Sequence, residues 1–131
     1  MSRRVDEAYL KIRVVIQREF PDITLLVEEV YGKVRVHLID GSYLDVWLSR
    51  RIPGRFAYHW GHRQVDGGLH RHDNRPHEHL RCVRTFPKHL HDGSEENVKE
   101  SAISDNPEKA VKEFLSFIKS KLKTVRMRRS Y

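Results

Sequence analysis

The stretch ITLLVEEVYGKVRVHLIDGSYLDVWLS, residues 23–49, decides the fold. Three apolar-rich segments, Ile23 to Val30, Lys33 to Ile39 and Ser42 to Ser49, are separated by Tyr31-Gly32 and Asp40-Gly41. Glycine supplies positive φ at no steric cost, so both dipeptides read as compact hairpin connections. Alternation puts Val34, Val36 and Leu38 on one side and Lys33, Arg35 and His37 on the other, the pattern of a half-buried strand. Past Pro53-Gly54, the segment Arg55 to Trp60 sets Phe56, Tyr58 and Trp60 against Arg55, Ala57 and His59. The pattern is that of an antiparallel meander.

Upstream, Val5, Ala8, Tyr9, Ile12, Val15, Ile16 and Phe20 recur at the spacing of one helical stripe, and Pro21-Asp22 stops the helix. Downstream, a fifth strand is expected from Gln64 to His72, turned by Asp66-Gly67-Gly68. Between Asp73 and His91 only Leu80 to Phe86 has strand-like content, so a long ordered loop around one short strand is expected, and long loops tend to be functional. Asn106 as N-cap, Pro107 and Glu108 announce a last helix with the stripe Val111, Phe114, Leu115, Ile118 and Leu122. These elements predict an α+β domain over residues 1–131: a curved antiparallel sheet of five or six strands, with both terminal helices on one face in two layers. A basic tail is expected at about 123–131.

The 131 residues carry a formal net charge of +7, with 38% hydrophobic and 33% charged residues, a balance that suits a globular chain and an anionic partner. No apolar run approaches the roughly 20 residues of a membrane helix, no secretory signal follows the first residues, and Cys82 has no partner for a disulfide. A cytoplasmic location without membrane attachment is expected. Lys119, Lys121, Lys123, Arg126, Arg128 and Arg129 crowd the C-terminal end, where a solvated face explains them.

Eight of the nine histidines fall between His59 and His91. Imidazole titrates near physiological pH, so such a density points to acid/base chemistry, metal binding or a solvated polar loop. Arg50, Arg51 and Arg55 flank a tight turn, and arginine forks suit phosphate. A strand end, His59 to Asp66, presents two imidazoles, His59 and His62, and the Arg63 guanidinium near the Asp66 carboxylate. In Arg71-His72-Asp73-Asn74-Arg75-Pro76-His77, Asp73 can fix a histidine tautomer, Arg71 can hold an anion and His77 can transfer a proton; Asp73-Asn74 equally reads as an Asx turn. His77-Glu78-His79 and His89-Leu90-His91 are two His-x-His pairs. On strands each pair would share a face and could ligate zinc through His77, His79, His89 and His91, but the cysteines of the strong zinc patterns are missing.

The run Tyr43 to Trp47, then Ser49 to Trp60, then Arg71 to His77, then Thr85 to His91 with Gly93 to Asn97, resembles the TumE family, small proteins classed as toxins of toxin–antitoxin systems. The likeness extends from about Leu25 to Leu122. It implies a toxin paired with a small helix-turn-helix antitoxin, and supplies no settled catalytic set. Arg51, His59, Arg71, Asp73, Asn74, His77, His89 and His91 match its motifs.

These observations favour a toxin that cleaves RNA without a metal or other cofactor. His59, Arg71, Asp73, His77, His89 and His91 are its candidate catalytic residues, and Arg50, Arg51, Arg55, Arg63, Asn74 and Lys88 would bind phosphate or nucleic acid. Two other classes fit: a non-catalytic binding module neutralised by an antitoxin, and a metal-dependent hydrolase built on the His-x-His pairs. The oligomeric state is not encoded in any of these features.

Overall fold

A computed structural model of the chain describes the backbone of residues 3–129 and the side chains of residues 3–122. Helix α1 (Arg3–Glu19) is followed by β1 (Thr24–Val30), β2 (Lys33–Leu38), β3 (Tyr43–Leu48) and β4 (Phe56–His62). A single helical turn, α2 (Arg63–Asp66), leads to β5 (Gly68–Asp73); β6 (His89–Gly93), β7 (Val98–Lys99) and helix α3 (Pro107–Arg129) complete the chain. All seven strands lie in one antiparallel sheet in sequence order, β1 to β7. The α+β architecture is as expected, with more strands than the five or six anticipated.

Four segments differ from the expectation: His89–Gly93, expected as a loop end, is strand β6, drawn into the sheet by pairing with β5, and the other three differ for local reasons. Residues 63–66 coil into a turn of helix instead of extending the fifth strand, and the Asp66 carboxylate folds back onto the His62 ring. Leu80 to Phe86 forms no strand: the N–H groups of Leu80, Val83 and Phe86 donate to the carbonyls of His77, Leu80 and Val83, so the backbone satisfies itself in successive turns. Strand β7 escapes notice because two residues show no period. The basic C-terminal residues continue helix α3 as far as Arg129 in the backbone, and their side chains from 123 onward lie outside the described residues.

Helices α1 and α3 touch each other and cover one face of the sheet. The core joins Val5, Tyr9, Ile12 and Ile16 of α1, the inward residues Val34, Val36, Leu44, Val46, Phe56 and Tyr58, and Val111, Phe114, Leu115 and Ile118 of α3. Asn106 caps α3, its side-chain oxygen accepting the Lys109 N–H at 3.1 Å. Tyr31 and Gly32 both have positive φ, 52° and 79°, the geometry of the hairpin turn whose twist matches the strands.

Tyr9 ties helix to sheet. Its hydroxyl donates to the Gly32 carbonyl at 2.8 Å and accepts the Leu48 N–H at 3.0 Å. Tyr9→Phe strands a buried donor at Leu48, so urea unfolding should show a loss of about 1–3 kcal/mol. An unchanged midpoint would mean that water replaces the hydroxyl.

Candidate functional site

The face of the sheet opposite the helices carries polar residues, and strand pairing sets them in rows. Arg35 pairs with Asp45, Asp45 with His59, His59 with Arg71, and Arg71 with His91. The next row runs Trp47, Ala57, Asp73, His89. Antiparallel neighbours sit about 5 Å apart, close enough for each row to act as a chain of contacts. Gly61 leaves room for this arrangement, because a Cβ there would collide with the Tyr43 ring.

Charges along the first row are matched. The Arg35 guanidinium grips Asp45 at 2.7 and 2.8 Å. Burial would raise the Asp45 carboxyl, but the Arg35 fork outweighs it and holds the group below the usual carboxylate range. Arg71 bonds Glu95 with two contacts of 2.9 and 2.7 Å, places its Nε 3.3 Å from Asp73 and its Nη2 3.4 Å from the His91 Nε2. That fork keeps Glu95 ionised well into acid. Burial, reinforced by Arg71, depresses the His59 pKa, and burial also depresses that of His91. Both imidazoles are therefore neutral at pH 7.

Asp73 is the hub. One carboxylate oxygen accepts the Arg75 N–H at 3.0 Å, the Asx turn read from the sequence, and the same oxygen lies 3.2 Å from the His89 Nε2. The His91 Nε2 stands 4.0 Å from the other oxygen. The histidine whose orientation Asp73 can govern is thus His89, across the strand pair, and not a neighbour in the sequence. Asn74 is a clip: its oxygen accepts the Phe56 N–H at 2.9 Å and its amide donates to the Gly54 carbonyl at 2.7 Å, fixing the turn that carries Arg55.

Beside this hub opens a cleft of about 410 Å³ lined by Trp47, Arg55, Phe56, Ala57, Arg71, Asp73, Arg75 and His77. Among the described residues Arg55 and Arg75 have no carboxylate partner, which leaves both guanidiniums available to an anion. His77 is exposed, whereas His89 is only 1% accessible and cannot touch a substrate directly. A second cleft, about 390 Å³, is lined by Tyr43, His59, His62, Arg63 and Glu95.

The remaining sequence candidates lie apart from the first cleft. Arg50 pairs with Asp6 at 2.8 Å, and Arg51 is exposed at its turn. Lys88 donates to the Ile103 carbonyl at 2.7 Å and faces Asp105. His79 is exposed beside His77, their ring centres 5.5 Å apart. The His77 and His89 ring centres stand 6.4 Å apart, and among the described residues the group whose ligand atoms lie within 4.8 Å of one another is Asp73, His89 and His91. The sequence places Arg75 and Glu95 inside the quoted runs Arg71–His77 and Gly93–Asn97, but nothing local marks either as part of the site, which the pairing of distant strands brings together.

A family model described as toxin TumE matches residues 7–122, nearly the whole chain. The chain belongs to the TumE toxin family. No curated protein and no solved structure matches it. Membership in a toxin family points to an antitoxin as partner. No described helix is long and apolar enough to cross a membrane. Arg71, Asp73, Asn74, His77, His89 and His91, which carried the resemblance to the TumE family, surround one end of the open face, with Asn74 as scaffold and the others at or under the cleft.

Proposed function

We propose that this toxin cleaves RNA in the cleft between Trp47 and His77, without a metal in the chemical step. The observation that carries this reading is the pair of unpartnered arginines, Arg55 and Arg75, flanking an accessible imidazole and a half-buried indole in one cleft. The guanidiniums bind the scissile phosphate and stabilise its added negative charge. Trp47 gives a base a stacking surface, worth about 1–3 kcal/mol. His77 takes the proton of the 2′-hydroxyl, whose oxygen bonds to phosphorus as the bond to the 5′-oxygen breaks. The departing 5′-oxygen, on the opposite side of phosphorus, takes its proton from solvent water, and the imidazolium afterwards releases its own proton to solvent. Asp73, His89, His91 and Arg71 form the wall that fixes the cleft, and His59 extends the polar row toward the second cleft, where Arg63 can follow the backbone.

Cleavage of this kind leaves a 2′,3′-cyclic phosphate and a 5′-hydroxyl. Purified protein incubated with RNA should give those termini, and 5′-phosphate products or no cleavage would overturn the reading. Arg55→Ala and Arg75→Ala should each weaken RNA binding and flatten its salt dependence by about one counterion. Tight, salt-dependent binding without cleavage would instead make the chain a binding module. A cytoplasmic toxin held in check by a small helix-turn-helix antitoxin that covers this basic cleft completes the proposal. An adjacent gene of that type would support it.

A further inference from the structure

We infer that Asp73, His89 and His91 form a site for a divalent first-row transition ion beneath the cleft. The inference goes beyond the RNA reading and stands on geometry alone. Ligand atoms of the three residues lie within 4.8 Å of one another, and all three side chains are buried. The two imidazoles are already set for ligation: the His89 Nδ1 lies 2.9 Å from the Pro87 carbonyl oxygen and the His91 Nδ1 lies 2.9 Å from that of Glu95. A carbonyl can only accept, so each Nδ1 carries a proton, and each Nε2 is the ring nitrogen turned toward Asp73. Backbone carbonyls that lock a tautomer in this way are the usual outer support of metal-bound histidines. The His89 Nε2 is fully buried without a satisfied hydrogen bond, which costs stability unless something fills that role.

Two neutral imidazoles and one carboxylate suit Zn(II), Co(II), Fe(II) or Mn(II) and leave positions for water or an anion oxygen. Arg71 is the group the ion would displace, since its guanidinium reaches both Asp73 and the His91 Nε2. Glu95 already holds the far side of that guanidinium with two bonds and can keep it once the ion arrives. The ion thus competes with a contact that has another anchor.

The test is equilibrium dialysis of the full chain against Zn(II), with Co(II) as a spectroscopic probe. The expected result is about one ion per chain, with visible Co(II) bands of low coordination number. His89→Ala and His91→Ala should each weaken binding by more than the roughly 10–100-fold that loss of an outer-shell partner costs. If His89→Ala does not fold, His91→Ala carries the comparison. His79→Ala should bind as the parent does. Absence of stoichiometric Zn(II) and Co(II) binding would overturn the site, as would weakened binding in His79→Ala, which would favour a histidine cage. RNA cleavage is scored separately: a protein that cuts RNA and binds no ion loses this site only, and one that binds the ion and cuts no RNA loses the nuclease reading only.

Discussion

His77→Ala is expected to lower RNA cleavage by about 10²–10⁴-fold while leaving the urea midpoint where it was, because a general acid/base contributes that much and the side chain is exposed. The split between the two readouts is what identifies the residue. His89→Ala and Asp73→Ala also should reduce cleavage, but they act from buried positions and will lower stability along with it. Gel assays of initial rate, paired with urea unfolding, separate the groups. Unchanged cleavage in His77→Ala would remove the imidazole that the mechanism depends on, and with it the proposed chemistry.

Acid should destabilise the fold through His72. This ring is 0% exposed, packed between Phe56 at 4.7 Å and Tyr58 at 5.5 Å between centroids, with its Nδ1 on the Ser101 hydroxyl at 2.8 Å. Burial, aided by the nearby Lys88 ammonium, lowers its pKa from 6.5 to about 4. Because the unfolded chain binds a proton that the native state refuses, stability is fully present above pH 6.5 and is lost as pH falls toward about 4. The loss attributable to this one group is on the order of 3 kcal/mol at the acid end. His59, His70 and His91, also held below their usual range, add loss of the same sign. Urea unfolding at pH 7 and pH 4.5 should show a smaller difference in His72→Leu than in the parent. Equal differences would acquit His72.

Local pattern made the helices and the first four strands readable. Val34, Val36 and Leu38 alternate cleanly, and the Asn106-Pro107 start of α3 needs no tertiary help. The region from residue 63 to 88 was harder because turns there outcompete extension: the Asp66 carboxylate recruits His62, and bonds three residues apart close the backbone between His77 and Phe86. The site was readable as a list of residues and not as an arrangement. Asp73 meets His89 only because β5 pairs with β6 in one register, and a slip of one residue would send His89 to the helix side. Burial is likewise a property of the assembled sheet. It divides the exposed His77 from the sealed His89, although both sit in similar sequence contexts.

The order of elements carries a consequence for how the chain comes into being. Each strand pairs with the one just before it, so the sheet can assemble by short steps of low contact order. The layer that covers it cannot, since α1 precedes all seven strands and α3 follows them. A ribosome must therefore deliver the whole sheet before α3 can dock against α1 and exclude water from the apolar face. Until then the part of the apolar face that α3 covers is open to chaperones and proteases, and a partner protein that binds the nascent chain meets it in that state.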